Sequence, residues 1–122
     1  MFKIECTSSF SAAHNLTNYK GKCEKLHGHN WKISAVVSGP DTDKTGMIMD
    51  FHELKNCLNK VLETLDHKYL NEIKPFIKNS PTSENIARFI FKQLAKLICN
   101  KCIKLESVSV WETDTSRAIY LQ

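Results

Sequence analysis

The sequence has few of the residues that mark a chain without a packed core. Only 4 of its 122 residues are Gly and 3 are Pro, which excludes collagen-like, low-complexity and disordered classes. No apolar run approaches the ~20 residues that a membrane span needs. The first residues, Met1–Cys6, lack the charged and apolar regions of a signal peptide. We therefore expect one soluble, cytoplasmic domain that covers residues 1–122.

The cysteine pattern excludes a secreted scaffold built on disulfides. Cys6, Cys23, Cys57, Cys99 and Cys102 are odd in number and irregularly spaced, so we expect them to be reduced. Cys99 and Cys102 have C-x-x-C spacing, but the second pair that a zinc ribbon needs is missing, which favours two plain thiols at a helix end. Cys6 and Cys57 fall on apolar faces and are interpreted as small buried residues.

Neither sign of charge dominates the chain. Lys and Arg number 17 against 13 Asp and Glu, a net charge of +4. Such a mild excess suits a polyanionic small molecule as well as a nucleic acid. Charge alone therefore does not identify the partner.

Alternation of apolar and polar residues predicts four strands. The first runs from Phe2 to about Phe10, the second covers Trp31–Ser38, the third ends near Trp111, and Ala118–Leu121 forms a hairpin with it. Apolar residues at spacings of three and four predict two helices. One covers roughly residues 51–65 after a capping-box pattern at Asp50, and the other starts at Pro81–Glu84 and ends near Cys99.

The resulting order, β-β-α-α-β-β, predicts an α+β domain. Two helices would pack on one face of a four-stranded antiparallel sheet. The two edges of such a sheet leave backbone hydrogen-bonding groups unpaired, and subunits that join their sheets would satisfy them. Oligomerisation is therefore expected.

Three histidines form the sharpest chemical pattern. His27 and His29 flank Gly28 on extended backbone, so both imidazoles point to one face and can converge on an ion. His14 would supply a third imidazole if the first two strands pair as a hairpin. Three histidines with an open position describe a catalytic zinc site. A lone histidine is better explained as a surface or core residue, and His52, at a helix start, is left out of the set.

Two acidic positions are candidates for a site. Asp66 precedes His67, and a carboxylate can orient an imidazole for proton transfer. Since adjacent helical residues do not face each other, a direct contact requires non-helical backbone; otherwise the groups act separately, or Asp66 caps the helix and His67 is solvated. Glu112 ends the third strand, where it could accept two parallel N–H bonds from a guanidine-like ring edge or be an ordinary strand-end residue.

Five motifs, taken together and in order, resemble those of the 6-pyruvoyltetrahydropterin synthase family. They cover nearly the whole chain, and the short gap between Cys23 and His27 is most similar to the bacterial branch of 6-carboxy-5,6,7,8-tetrahydropterin synthases. Each motif is modest alone, whereas five with compatible spacing are specific. The motifs are Phe10–His14, Cys23–His29, Leu65–Asn71, Pro81–Glu84 and Glu112–Thr115.

The resemblance implies a tunnelling fold, in which three subunits close one barrel and two trimers form a homohexamer. It implies a zinc-dependent lyase that converts 7,8-dihydroneopterin triphosphate to 6-carboxy-5,6,7,8-tetrahydropterin, with loss of triphosphate and acetaldehyde, in queuosine and 7-deazapurine biosynthesis. No nucleic acid or membrane partner is implied. Carried onto matching positions, the family's roles give zinc ligands, proton-transfer residues and a pterin anchor. The zinc ligands are His14, His27 and His29. The proton-transfer residues are Cys23, Asp66 and His67, and the pterin anchor is Glu112.

Three alternatives remain open at this stage. A synthase of the pyruvoyl-forming type would use the same residues without cleaving the carbon chain. A binding protein would hold a closed structural zinc through Cys23 and the three histidines. A non-catalytic oligomer would carry the histidines incidentally.

Overall fold

The computed structural model describes residues 1–17 and 24–122, and four strands and three α-helices lie in those ranges. In chain order the elements are β1 (Phe2–His14), β2 (His27–Gly39), α1 (Phe51–Glu63), a 3₁₀ turn (Leu70–Glu72), α2 (Lys74–Lys78), α3 (Ser83–Leu97), β3 (Lys104–Thr113) and β4 (Ser116–Leu121). The predicted α+β class and the order of its main elements are confirmed. The short helix α2 and the 3₁₀ turn were not predicted.

The strands form one antiparallel sheet in the order β1-β2-β3-β4. Neighbouring strands in the sheet are therefore neighbours in the described chain order, and β1 and β4 are its edges. The first two strands pair with each other, which was the condition for His14 to join the other two histidines, and both strands are longer than expected. β1 continues past Phe10 and ends at His14, which pairs with His27. His14 is thus the last residue of the strand and does not follow it.

Side-chain caps start both long helices where the sequence predicted. The Asp50 carboxylate accepts the backbone N–H of His52 at 2.8 Å. The Thr82 hydroxyl accepts the N–H of Asn85 at 3.1 Å. Such caps satisfy backbone donors that the first helical turn leaves free. The first helix ends at Glu63, two residues early, because Leu65 N–H turns back to the Leu62 carbonyl at 2.9 Å.

The core lies between the helices and one face of the sheet. Each fully buried Leu or Ile removed from water contributes about 1.5–3 kcal/mol before the entropy cost of ordering. Most of the predicted apolar stripe is buried: Leu54, Leu58, Val61 and Leu62 on α1, and Ile86, Ile90 and Leu94 on α3. Ala87 and Phe91 are buried as well and were not predicted, whereas Phe51 and Leu97, which the same spacing assigned to the stripes, are exposed. The buried helical residues pack against strand residues that include Trp31, Ile33, Val108 and Val110. The opposite face of the sheet carries no helix in the described chain.

The four described cysteines are free thiols, in line with the sequence analysis. Cys6 is buried, Cys57 is half-buried, and Cys99 and Cys102 are exposed. Burial raises the pKa of both the Cys6 and the Cys57 thiols. Cys23 lies outside the described residues. Among the described helices, none is long and apolar enough to cross a membrane.

Candidate metal centre

Three imidazoles meet where β1 ends and β2 begins. The register pairs His14 with His27, and Ala12 with His29. Because side chains alternate along a strand, His27 and His29 project from the same face of the sheet as His14. The Nε2 atoms of His14 and His27 are 3.1 Å apart. The hairpin thus assembles the predicted histidine set within a single chain.

A carboxylate completes this group. β2 and β3 pair as far as Lys32 and Trp111, so the next residue, Glu112, reaches the start of β2. Its Oε1 atom lies 3.1 Å from the Nε2 atoms of both His14 and His29. All four potential ligand atoms lie within 4.8 Å of one another. The sequence analysis had treated Glu112 apart from the histidines, whereas the structure places it among them.

Backbone carbonyls fix the tautomers of two imidazoles. The Nδ1 atom of His14 lies 2.8 Å from the Pro81 carbonyl oxygen, and that of His27 lies 2.8 Å from the Lys25 carbonyl oxygen. A carbonyl can only accept, so each Nδ1 carries a proton, and in the neutral imidazole each Nε2 then presents a lone pair. Two such nitrogens at 3.1 Å have no hydrogen to share. Their arrangement calls for a cation between them.

The donor set fits a zinc ion. Zn–N bonds of about 2.0–2.1 Å in a tetrahedral site separate two ligand nitrogens by roughly 3.3 Å, close to the observed 3.1 Å between His14 and His27. The third imidazole also supports a metal site, because His29 Nε2 is buried without a hydrogen-bond partner. It lies near Glu112, but not in hydrogen-bond geometry. An electron-rich, unsatisfied cluster of this kind is what a metal ion would satisfy.

Electrostatics favour the ligand form of His29. Burial is the largest influence and lowers its pKa, and the nearby imidazoles of His14 and His27 act in the same direction. The Glu112 carboxylate acts in the opposite direction, and burial prevails. A neutral imidazole is the species that binds a metal ion.

Asp66 and His67 form a direct pair outside this cluster. His67 Nδ1 lies 3.0 Å from Asp66 Oδ2. The contact was predicted to require non-helical backbone, and His67 indeed has φ of 57°, in the left-handed region. The other Asp66 oxygen accepts the Ser11 N–H at 2.9 Å. That bond is the main cause of the lowered pKa of the Asp66 carboxyl, so the group is held as an anion beside the imidazole.

The structure separates the predicted site residues into three groups. His14, His27, His29 and Glu112 are together, and Asp66 and His67 form a pair whose imidazole is 82% exposed on the isolated chain. Cys23 belongs to a stretch that the structure does not describe. His52 is exposed at the start of α1 and lies outside the cluster, as the sequence analysis proposed.

One contributor was missed. The sequence analysis interpreted Pro81–Glu84 as a helix start, and it is one. The same turn also aims the Pro81 carbonyl at His14 and so sets the orientation of a candidate ligand. A backbone carbonyl has no residue signature, so only the fold reveals this role.

Comparison with known proteins gives a consistent result. The family described as 6-pyruvoyl tetrahydropterin synthase matches residues 3–122. The chain is 44% identical over 117 residues to a 6-carboxy-5,6,7,8-tetrahydropterin synthase from Synechocystis sp., covering 92% of this chain and 87% of that protein. It is 38% identical over 110 residues to a dihydroneopterin monophosphate aldolase from Pyrococcus furiosus, covering 90% and 89%.

A solved structure extends the likeness to three dimensions. Caenorhabditis elegans 6-pyruvoyl tetrahydropterin synthase superimposes with a TM-score of 0.84 at 29% identity, covering 99% of this chain and 95% of that one. The fold, the order of the motifs and the sequence match over nearly the whole chain therefore agree. The chain belongs to the 6-pyruvoyl tetrahydropterin synthase family.

Proposed function

We propose that the chain is a zinc-dependent 6-carboxy-5,6,7,8-tetrahydropterin synthase, a lyase. It would convert 7,8-dihydroneopterin triphosphate to the 6-carboxy pterin with release of triphosphate and acetaldehyde, in queuosine and 7-deazapurine biosynthesis. The observation that carries the proposal is the convergence of three Nε2 atoms and one carboxylate in a chain of this family. The 44% identity to a relative of that name supports the carboxy-forming branch.

His14, His27 and His29 are the proposed zinc ligands. Zinc bound there would act as a Lewis acid on substrate hydroxyls and make neighbouring O–H and C–H bonds more acidic. The chain prepares these ligands in advance, since two carbonyls hold the Nδ1 protons of His14 and His27. A ligand that is already oriented loses little freedom when it binds.

Glu112 is the proposed pterin anchor. Its side chain is 38% exposed, so the carboxylate can be reached by a substrate. A carboxylate can accept two parallel N–H bonds from the guanidine-like edge of a pterin. Its position 3.1 Å from His14 and His29 would place that ring edge next to the metal. The substrate side chain would then extend toward the ligands.

Asp66, His67 and Cys23 are proposed to move protons. Asp66 engages Nδ1 of His67, so Nε2 is free to exchange a proton with the substrate. Cys23 precedes His27 by four residues, and a thiolate near a cation is a plausible base because the cation depresses its pKa.

The proposed site needs cover that one chain does not supply. His67 is 82% exposed, whereas proton transfer is efficient when water is excluded. The sheet edge formed by β4 pairs with no other strand within the described ranges, as expected of a sheet that continues into another subunit. These features support the proposed homohexamer, a dimer of trimers. A cytoplasmic location and a pterin triphosphate as the sole partner class, without nucleic acid or membrane, complete the proposal.

Two related activities are the competing candidates. The structural likeness to a 6-pyruvoyl tetrahydropterin synthase favours a triphosphate elimination that leaves the carbon chain intact. The 38% identity to a dihydroneopterin monophosphate aldolase favours action on the monophosphate. The two synthase activities would use the same residues, and all three candidates would bind a related pterin, so products distinguish them better than binding does.

The test is to incubate zinc-loaded protein with 7,8-dihydroneopterin triphosphate, identify the pterin by mass and assay acetaldehyde. Carboxy pterin with acetaldehyde supports the proposal, with His27→Ala as the inactive control. Pyruvoyl pterin without acetaldehyde would instead support the 6-pyruvoyl tetrahydropterin synthase activity. Turnover of the monophosphate alone would support the aldolase activity. Sulfur in the first coordination shell by metal-edge spectroscopy, with no turnover, would indicate a closed structural site and overturn the proposal.

A further inference from the structure

The segment that carries Asp66 and His67 runs along the outer edge of β1, on the side away from β2, and forms hydrogen bonds with it. Ser11 N–H donates to Asp66 Oδ1 at 2.9 Å, and His67 N–H donates to the Ser11 carbonyl at 2.6 Å. Two residues further on, Ala13 N–H donates to the Lys68 carbonyl at 3.1 Å. These bonds pair the segment of Asp66 and His67, called the dyad below, with the last residues of β1, the strand that ends in His14. The dyad and a candidate metal ligand therefore share one stretch of backbone.

A side-chain clamp closes this pairing beyond the strand end. The Asn71 amide engages the backbone of Asn15 on both sides. Asn15 N–H donates to Asn71 Oδ1 at 3.0 Å, and Asn71 Nδ2 donates to the Asn15 carbonyl at 2.8 Å. The amide thus replaces the backbone of a strand partner. Tyr69 adds a third bond, from its hydroxyl to Asn15 Oδ1 at 2.6 Å.

The clamp acts on the residue directly after His14. His14 is buried and held at Nδ1 by Pro81, so its own position is fixed. Because Asn15 directly follows His14, the two hydrogen bonds between Asn15 and Asn71 hold the segment that carries His67 at a fixed distance from His14. His67 also needs restraint, because a non-glycine residue in the left-handed region is unfavourable unless its surroundings determine it. The flanking bonds at Ser11 and Asn15 supply that restraint.

We propose that Tyr69 and Asn71 are positioning residues, which set the distance and orientation of the Asp66–His67 dyad relative to the His14 end of the metal centre. The inference rests on the proposed function, since it assigns the dyad a role in proton transfer. It also explains why the motif Leu65–Asn71 extends four residues beyond His67. Neither Tyr69 nor Asn71 needs to touch the substrate.

The test compares Tyr69→Phe and Asn71→Ala with wild type. Tyr69→Phe keeps the ring and removes only the hydroxyl, so it serves where Asn71→Ala fails to fold. We expect kcat to fall on the order of 10–100-fold, the effect of a displacement of about 1 Å, while KM changes by less than about threefold. Zinc affinity is expected to stay near the wild-type value, and the ¹H–¹⁵N resonances of the His67 ring to shift.

Asn59→Ala is the matched control. Asn59 also binds β1 from another segment, with its Oδ1 accepting the Ser8 hydroxyl at 2.6 Å, but far along the strand from His14. The control should leave kcat and the His67 resonances unchanged. If both clamp variants keep wild-type kcat and His67 resonances, the positioning role is wrong. If His67→Ala itself keeps wild-type turnover, the proposed role of the dyad fails instead, and the two failures are distinguishable.

Discussion

Removal of the metal ion should destabilise the whole domain by a calculable amount. The three proposed ligands join β1 to β2, and α1 packs directly against β1. An ion that binds only the folded chain stabilises it by about 4.1 kcal/mol when its free concentration is 1,000 times its dissociation constant. The unfolded chain does not present this arrangement of three Nε2 atoms, so nearly the full amount should appear in the free energy of unfolding.

This free energy converts into a shift of the thermal midpoint. With an unfolding entropy of ~2.1 cal/mol/K per residue, the 122 residues give roughly 0.26 kcal/mol/K. A loss of about 4.1 kcal/mol then corresponds to a fall in Tm of about 16 °C. Differential scanning calorimetry of zinc-loaded and chelator-treated protein measures this shift directly.

Variants decide whether the shift comes from the proposed centre. His29→Ala should abolish most of the response to zinc, because it removes the imidazole whose buried Nε2 has no hydrogen-bond partner. His52→Ala is the matched control, since His52 is an exposed histidine at the start of α1, and it should keep the full shift. A Tm that does not respond to chelation, or an equal response in His29→Ala and wild type, would refute the reasoning.

Three further outcomes follow from particular contacts. Glu112→Gln should raise KM for the pterin while weakening zinc binding by no more than about 10–100-fold, because three imidazoles remain; a larger loss of zinc affinity in a titration would make Glu112 a ligand instead. Asp66→Asn should destabilise the fold at pH 7, because the Ser11 N–H lowers the pKa of the Asp66 carboxyl in the folded protein. The ionised carboxyl therefore stabilises the folded state at any pH above its unfolded pKa of about 3.9, and this contribution is lost as the pH falls through the lower pKa of the folded state. Urea midpoints should show the gap to wild type narrowing as the pH falls below about 3.9, and a constant gap would contradict the assignment. Leu58→Ala should cost about 2–5 kcal/mol of unfolding free energy, since Leu58 is fully buried, whereas Leu97→Ala, at a residue 39% exposed, should cost much less; equal urea midpoints for the two variants would place Leu58 outside the core.

Local patterns predicted the parts of the fold that depend on nearby residues. The caps at Asp50 and Thr82, the apolar stripes of α1 and α3, and the face shared by His27 and His29 all follow from spacing over a few positions. The end of β1 did not. Ala12 and Ala13 show no contrast between apolar and polar, so only the pairing with β2 carries the strand on to His14.

Long-range register decided what the sequence analysis missed. Glu112 joins the histidines because β3 pairs with β2, and the two strands are separated by three α-helices and a 3₁₀ turn along the chain. Nothing in the neighbourhood of Glu112 encodes that register. For a contact between Asp66 and His67 the sequence analysis required only non-helical backbone. The left-handed conformation of His67 is seen only in the fold, where its N–H donates to the Ser11 carbonyl. The pterin roles themselves came from the family resemblance, since no spacing argument identifies a ring edge.

The order of the ligands along the chain has a consequence for synthesis on the ribosome. The three imidazoles are translated by residue 29, the Pro81 carbonyl comes later, and Glu112 is made last. At 5–20 residues per second, roughly 4–17 s separate His29 from Glu112, whereas a hairpin forms in about 1–10 μs. A nascent chain can therefore offer a metal ion its histidines long before the carboxylate exists. Metal capture during translation would commit the first hairpin to its register before the rest of the sheet is made.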